Sequence, residues 1–353
     1  MGWEKGIDER SESSNLSGTS ILKKRKYSVM TKEEILEAYN EKSVFPNILI
    51  LFEYLRAKGW VGLAHSASVF ECMELYDNRI VAAPMPMSPL YRGENEWHEI
   101  CKPSLYRRTW STAELFEREI QLSDFRKMLE VHPEIIDMKR GGLFVNYTGL
   151  AQHYGIATNV LDLTNSPLVA AFFATTEYDS MRDCYRPILH TVSQGVIYFF
   201  EIGCFWNIGD SPKIWPIGQE ALRRPGEQRG YGIEMNVNDN LNDYPIKHVY
   251  RFWHTPHASM TIWNMSKGGT EFFPYDPMAE KVRNMKKYRI YSIESLQEVY
   301  ERDSSIALTL DDARRLMENS GCTFVKKLPF AYTENEVEYI NEEFKKMYPG
   351  NFE

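Results

Sequence analysis

The chain lacks the features that mark several familiar enzyme and membrane classes. Its 353 residues contain no run of about 20 apolar residues, the length that a membrane-spanning helix needs, and no hydrophobic signal core at the N-terminus. The motifs G-x-x-x-x-G-K-[ST], G-x-S-x-G, H-E-x-x-H and G-x-G-x-x-G are all missing. These absences disfavour ATPase, serine-hydrolase, zincin and Rossmann functions, and we expect a cytoplasmic protein without a membrane partner.

Paired cysteines and positive charge are also scarce. The five cysteines are scattered and none shows the C-x-x-C spacing of a zinc knuckle or redox pair, so we expect reduced thiols. A formal net charge of -8 argues against binding nucleic acid or anionic membrane through a broad basic surface. The candidate metal set is His248, His254 and His257, but no fixed ligand partner accompanies them. We therefore predict structural histidines and no metal.

The composition is that of a globular protein, with 43% hydrophobic and 25% charged residues. A polar, Ser-rich and then basic stretch at the N-terminus predicts a disordered tail. Thr31 and Glu34 have the spacing of a helix-capping box, so the folded part should begin there. We predict four regions: a tail at 1–29, an N-terminal helical segment at 30–85, a main domain at 86–290 and a C-terminal helical extension at 291–353.

Hydrophobic patterns place the main elements of that domain. Residues 90–93 and 160–164 read as strands, and residues 195–202 form a stronger strand signal. An amphipathic pattern predicts a helix at 111–129, and Ser followed by Pro predicts the start of an apolar helix at 166–174. The order of elements indicates an α+β fold, with a mixed or antiparallel sheet flanked by helices.

Three segments of the chain resemble the FRG domain family over residues 90–232. The first is Tyr91-Arg92-Gly93-Glu94, followed by Trp97 and Pro103-Ser104-Leu105-Tyr106-Arg107. The second is Ala151-Gln152-His153-Tyr154-Gly155 with Leu161-Asp162-Leu163-Thr164, Ser166-Pro167 and Phe173-Ala174; a weaker third is Arg224-Pro225 with Gln228 and Gly230. The family usually has Gln at Glu94 and Arg at Asn159, so an anion contact by that second residue is not expected here. The family name describes a motif and implies no activity.

The residues of the first two segments suggest an anion site. Arg92 beside Gly93 places a planar, multi-donor cation where the backbone would let a phosphate or carboxylate approach. The alternative is that Arg92 is buried in a structural ion pair with Asp162 or Glu117. Likewise, the Ser166-capped helix start has free N–H groups that favour an anion, although an ordinary strand-to-helix turn would look the same.

The order of these groups also resembles, more distantly, the ADP-ribosyltransferase plan, in which enzymes split the nicotinamide–ribose bond of NAD. This resemblance implies a related fold, with NAD as substrate. It assigns catalytic roles to Arg92, His153, Thr164, Ser166 and either Glu227 or Gln228. The cofactor-binding candidates are Tyr91, Arg92, Gly93, Gln152, Asp162 and Tyr198. If Gln228 takes the late position, carboxylate assistance to an oxocarbenium-like state is lost, and a binding module is favoured instead.

Three functions stay open at this point. The first is an NAD-consuming ADP-ribosyltransferase or NAD glycohydrolase, serving as a bacterial toxin or antiphage effector on a protein or nucleic-acid acceptor. The second is a non-catalytic module that binds a nucleotide or a nucleic-acid end, and the third is a structural or protein-interaction domain. Convergence of Arg92, Thr164, Ser166 and Gln228 on one cleft would separate the first two from the third. Nothing in the pattern specifies the oligomeric state.

Overall fold

The computed structural model describes residues 30–60, 69–75, 78–86, 89–201, 213–217, 222–244, 247–302 and 308–347. The tail predicted at residues 1–29 lies outside these described residues. Within the described ranges, no helix has both the length and the apolar character needed to cross a membrane.

A seven-stranded mixed sheet forms the centre of the molecule. The strands found in the described ranges are β1 (Val44–Phe45), β2 (Val69–Glu74), β3 (Ile80–Met85), β4 (Leu90–Glu94), β5 (Val160–Thr164), β6 (Thr176–Asp179), β7 (Cys184–Pro187), β8 (Gln194–Phe200), β9 (Lys213–Pro216), β10 (Gly230–Glu234), β11 (Lys247–Trp253), β12 (Ile290–Ser292) and β13 (Thr323–Val325). The main sheet has the order β1, β11, β8, β4, β5, β10, β9 and is antiparallel except for the parallel pair β1 and β11. Two-stranded pairs are formed by β2 with β3, β6 with β7, and β12 with β13.

Helices surround this sheet and complete the α+β class that the sequence predicts, which is thereby confirmed. Those in the described part of the chain are α1 (Lys32–Ala38), α2 (Ile48–Ala57), α3 (Thr112–Glu130), α4 (Pro133–Arg140), α5 (Tyr147–His153), α6 (Pro167–Thr175), α7 (Arg223–Glu227), α8 (Pro256–Met265), α9 (Pro277–Tyr288), α10 (Ile293–Arg302), α11 (Leu310–Asn319) and α12 (Glu334–Met347).

The helix starts follow from side-chain caps. Thr31 and Ser111 form complete capping boxes before α1 and α3, and the first of these is the box that the Thr31–Glu34 spacing predicts. Ser166 caps α6 by accepting from the amide of Val169, and Pro167 takes the first helical position. The predicted starts of these helices are therefore confirmed.

Helix α6 is the central helix of the fold. Val169, Ala170 and Phe172 are buried in a cluster that also includes residues of α2, α8 and one face of the sheet. Strand β4 lies so close to α6 that a Cβ atom on Gly93 would stand 1.8 Å from the Ala170 carbonyl oxygen. Gly93 thus allows close contact between helix and strand, whereas the sequence suggests that it admits a ligand to the backbone.

The sheet opens between β4 and β5. The ladder joining these two strands consists of one pair, Tyr91 with Thr164, although β5 pairs along its length with β10 and β4 with β8. Beyond that pair the ladder does not continue, and residues of both strands line one cavity. The single pair therefore marks the edge of a cavity.

The C-terminal elements share a core with the middle of the chain. Tyr291, Leu296, Val299, Met317 and Phe324 belong to one buried cluster with residues of α3, α4, α5 and α9. At the other end, β1 adds a strand to the main sheet. The boundaries predicted at residues 85/86 and 290/291 stay predictions.

Candidate functional site

A cavity of about 380 Å³ lies where β4 and β5 separate. Its walls combine the arginine segment of β4, the end of α5, the end of β5, one face of α6 and the residue after α7. The lining side chains and backbone are those of Tyr91, Arg92, Gly93, Glu94, Asn95, Arg107, Gln152, His153, Asp162, Leu163, Thr164, Val169, Ala170, Phe173, Thr176, Tyr178, Tyr185 and Gln228. Residues from all three sequence segments therefore meet at one place.

Arg92 is already engaged by the protein in this cavity. Its Nε and Nη2 atoms donate to Glu94 Oε1 at 2.8 and 2.5 Å, and Nη1 donates to the carbonyl oxygen of Asp162 at 2.7 Å. Burial opposes both charges, yet Glu94 raises the pKa of Arg92, while Arg92 and Arg107 lower the pKa of Glu94. The guanidinium thus orients Glu94 and bridges the two separating strands.

The ion-pair partner differs from the two that the sequence suggests. Glu117 is bonded to Arg289 with an Nη2–Oε2 distance of 2.7 Å, and Arg92 contacts Asp162 through the backbone carbonyl of that residue. Glu94 lies two positions after Arg92 on the same strand, so both side chains point to the same side of the sheet. This Arg-x-Glu spacing is the sequence signal from which the ion pair could have been predicted.

Arg107 is the more accessible cation of the cavity, with 51% of its side chain exposed. Its Nε donates to the Lys102 carbonyl at 2.7 Å, and its Nη2 lies 4.0 Å from Glu94 Oε1. The remaining guanidinium face is open to an incoming group. Arg107 belongs to the first sequence segment that resembles the family, but no site role is predicted for it from the sequence.

Gln228 fixes the protonation of His153. The Gln228 Nε2 atom donates to the Phe272 carbonyl at 3.0 Å, which leaves its Oε1 atom 3.1 Å from His153 Nδ1. Because Oε1 can only accept, His153 Nδ1 carries the proton. Burial, aided by the charge of Arg224, lowers the pKa of His153 despite the opposing charge of Asp162.

The other nitrogen of this imidazole faces Asp162. His153 Nε2 lies 3.6 Å from Asp162 Oδ1, and neither atom has a hydrogen-bond partner among the residues that the structure describes. Gln152 Nε2 donates to the other carboxylate oxygen, Oδ2, at 3.4 Å. Gln152 itself is held because its Oε1 accepts from Ser104 and Thr158 at 3.1 and 2.8 Å.

The hydroxyl candidates serve the fold in this structure. Thr164 Oγ1 donates to the Gln228 carbonyl at 2.7 Å and accepts from the Ser166 amide at 3.0 Å. Ser166 is fully buried, caps α6 and is not part of the cavity lining. Their arrangement is that of a capped strand-to-helix turn, and the Ser166 hydroxyl does not join the others at the cavity.

Two further candidates lie away from the cavity. Glu227 ends α7 and approaches Arg223 at 3.6 Å, so of the two late candidates Gln228 is the one in the lining. Tyr198 is buried in a separate cluster, and its hydroxyl donates to Asn242 Oδ1 at 2.9 Å. Tyr91 does line the cavity, but its ring packs edge-on against Phe199 at 5.5 Å.

An aromatic wall separates the cavity from a second concavity. Phe173 and Tyr185 meet edge to face at 5.5 Å, and Tyr178 and Tyr185 are tilted at 5.3 Å. Tyr178 and Tyr185 also line an adjoining groove of about 1240 Å³, which carries Arg283, Lys286 and other charged side chains. The hairpin of β6 and β7 that supplies both tyrosines was not predicted from the sequence.

The three histidines considered as metal ligands have different contacts from one another. His248 Nε2 lies 3.0 Å from Glu201 Oε1, His254 Nε2 bonds to the Asn95 carbonyl at 2.8 Å, and His257 lies in the first turn of α8. In the described ranges of the chain, no three His, Cys, Asp or Glu side chains are grouped so as to hold a metal ion.

Comparison with protein families identifies an FRG domain at residues 88–183. The matched range contains the first two sequence segments, including Arg92, His153, Asp162 and Thr164, and ends before Gln228. The family resemblance is thus confirmed over that range. No curated protein and no solved structure matches the chain.

Proposed function

We propose that the FRG domain of this chain binds a nucleotide-type ligand, with NAD as the leading candidate, in the cavity between β4 and β5. The observation that carries the proposal is convergence: Arg92, His153, Asp162 and Gln228 come from distant parts of the chain and line one cavity. Its volume of about 380 Å³ falls within the range of small-molecule sites. A purely structural domain has no need to keep charged groups in such a space, because each costs desolvation energy.

Each wall of the cavity suits one part of a nucleotide. The rings of Phe173 and Tyr185 offer an apolar surface for a base or nicotinamide ring. Arg107, exposed at the rim, suits a phosphate through charge-assisted hydrogen bonds. His153 and Asp162 offer acceptors for ligand hydroxyls. In this proposal Arg92 is a positioning residue, because its guanidinium holds Glu94 and the Asp162 carbonyl.

Cleavage of NAD is the second candidate function, favoured by the carboxylates of Glu94 and Asp162 beside a neutral imidazole. When the ribose–nicotinamide bond breaks, its electron pair leaves with nicotinamide and positive charge develops on the ribose. Asp162 would stabilise that charge, and His153 Nε2 would take the proton from the attacking water or acceptor hydroxyl. The groove beyond Tyr178 would admit a protein or nucleic-acid acceptor. The residue type of Gln228 argues against catalysis, because it is an amide and not a carboxylate, and its oxygen and nitrogen are both hydrogen-bonded within the protein.

Calorimetric titration with NAD, ADP-ribose and AMP, together with a nicotinamide-release assay, tests both functions. We expect saturable binding that weakens at least about tenfold in Arg107→Ala, because a charge-assisted contact is lost. Arg140→Ala is the matched control, since Arg140 is exposed on α4 and pairs with Asp137. Absence of binding by all three compounds would overturn the proposal. Binding with nicotinamide release supports the enzyme, and binding without release supports the non-catalytic module.

A further inference from the structure

Two hydrogen-bond acceptors face each other in the cavity without a donor between them. Gln228 keeps this amide orientation because, if reversed, its oxygen would face the Phe272 carbonyl oxygen, which is also an acceptor. His153 therefore keeps its proton on Nδ1 and presents an Nε2 lone pair to Asp162 Oδ1 at 3.6 Å. The carboxylate oxygen is likewise an acceptor, so neither atom can satisfy the other.

This arrangement has an energetic cost in the unliganded protein. Only 4% of the His153 side chain is exposed, and both facing atoms are shielded from solvent without a hydrogen bond to any described residue. A buried acceptor without a donor has lost its hydrogen bonds to water and gained none in return, which destabilises the unliganded protein. Protonation of His153 would convert the contact into an ion pair, but burial lowers the pKa of His153 and favours the neutral ring near neutral pH. Donors supplied by a ligand would remove the cost.

We propose that His153 Nε2 and Asp162 Oδ1 together accept the two hydroxyl protons of a vicinal diol, as carried by the ribose of a nucleotide. The inference rests on the proposed nucleotide-binding function and specifies which part of the ligand this pair recognises. A vicinal diol places two O–H donors on adjacent carbons, so one can reach each acceptor across the 3.6 Å gap. Carboxylates recognise ribose hydroxyls in the same way in dinucleotide-binding folds.

Three neighbouring groups favour the diol. Gln152 holds the far oxygen of the Asp162 carboxylate, which directs Oδ1 toward the imidazole. Phe173 lines the same cavity and provides a surface for the ring attached to the sugar. Arg107 at the rim favours a ligand that also carries an anionic group and disfavours an ammonium compound. These surroundings together match a ribonucleotide.

The first experiment compares sugars. The tightest-binding compound among NAD, ADP-ribose and AMP is titrated beside its 2′-deoxy and 3′-deoxy forms, with catalytic turnover monitored separately. Each missing hydroxyl leaves one acceptor unsatisfied, so we expect each deoxy form to bind at least about tenfold more weakly. Equal binding of all forms overturns the diol inference and leaves the nucleotide-binding function standing. If none of the parent compounds binds, both fall together.

The second experiment changes the protein and uses a substitution that should not impair folding. Asp162→Asn turns the facing oxygen into an N–H donor to His153 Nε2, while the amide oxygen still accepts from Gln152. We expect an unchanged or higher melting temperature and less than about threefold discrimination between ribose and deoxyribose. Asp137→Asn on α4 is the control and should retain full discrimination. The inference is overturned if Asp162→Asn still distinguishes ribose from deoxyribose compounds as strongly as the wild type. It is also overturned if binding depends on an amino group of the base and not on the sugar hydroxyls.

Discussion

Arg92 and Arg107 line the same cavity but differ in how the protein uses their charge. Three guanidinium nitrogens of Arg92 are bonded within the protein, and 12% of its side chain is exposed. Arg107 has 51% of its side chain exposed and one bond, to the Lys102 carbonyl, at its Nε. The two arginines therefore differ in role: Arg92 holds Glu94 and the Asp162 carbonyl in the cavity wall, and Arg107 is available to a ligand.

Arg92→Lys should lower the free energy of unfolding by about 1.5–3 kcal/mol, because a single ammonium cannot replace a fork that bonds Glu94 and the Asp162 carbonyl at once. Arg107→Lys should change it by less than about 0.5 kcal/mol, because that side chain is half exposed. Urea denaturation of both variants measures the difference. If Arg92→Lys leaves stability intact and weakens ligand binding alone, Arg92 is a ligand anchor, as the sequence first suggests.

His132 provides a pH-dependent test at the same scale. It is buried against the ring of Tyr332, and burial lowers its pKa from 6.5 to about 4. The unfolded chain binds the proton below pH 6.5 while the folded protein does not, so this residue destabilises the fold progressively as the pH falls from 6.5 to 4. Above pH 6.5 both states are neutral and its contribution no longer changes.

His132→Gln removes that titration. The stability of the native protein relative to the variant should therefore fall by about 3 kcal/mol between pH 6.5 and pH 4. Denaturant unfolding at half-unit pH steps measures the difference. Nearby Glu134 has its pKa raised to about 7 by burial and stabilises the fold as the pH falls, but it is present in both proteins. A constant difference across this range would show that His132 is protonated in the folded state.

At the scale of elements, the contact between α6 and β4 determines the shape of the cavity. Gly93→Ala would place a Cβ atom 1.8 Å from the Ala170 carbonyl oxygen and 2.7 Å from its carbon, both of which are backbone atoms. We expect a loss of at least about 3 kcal/mol and a displaced α6. Thermal unfolding followed by circular dichroism reports the loss.

A second glycine provides the control for this substitution. Gly141 follows α4 at φ -73°, and the nearest atom to its Cβ position is the Met138 carbonyl oxygen at 3.4 Å. Gly141→Ala should therefore change stability by less than about 1 kcal/mol. If both variants melt alike, the close approach of α6 to β4 is not what requires glycine at position 93.

Local signals explain why many elements could be predicted from the sequence. The capping boxes at Thr31 and Ser111 act within three residues, and the Ser166-Pro167 start of α6 is equally local. Strand β8 follows from its apolar residues, since the sheet buries both of its faces. The hairpin of β6 and β7 escaped prediction because its residues are mostly polar or exposed.

The composition of the cavity could be predicted only in part. Eight of the sequence candidates line it, namely Tyr91, Arg92, Gly93, Gln152, His153, Asp162, Thr164 and Gln228. Their contacts depend on tertiary structure: His153 meets Gln228 75 residues later, and Tyr185 reaches the wall from a separate hairpin. Ser166 and Tyr198 fit their patterns equally well but became a helix cap and a core residue. No local pattern distinguishes those outcomes.

At the scale of the whole molecule, the question is whether the elements after residue 290 form a separable extension. Asp124 on α3 is fully buried, and its carboxylate accepts from the Ser292 amide at 2.9 Å, the Ser292 hydroxyl at 2.6 Å and the Ser295 hydroxyl at 2.7 Å. Tyr291 and Leu296 belong to the same cluster as residues of α3. Removing these elements would expose that cluster and leave the carboxylate without three of its donors.

A fragment ending at residue 290 should therefore fail to unfold cooperatively, although the sequence pattern alone places a boundary there. Circular dichroism and thermal melting of residues 30–290 test this, with residues 30–332 as the control. The control lacks α12, and its buried residue Ile340 is not part of the cluster that contains Tyr291 and Leu296. It also lacks the ion pairs of Lys281 with Glu336 and of Arg223 with Glu343. We expect the control to fold with a lower melting temperature. A cooperative transition in the shorter fragment, near that of the full chain, would establish residues 291–353 as a dispensable extension and would mean that Asp124 finds other partners or takes up a proton.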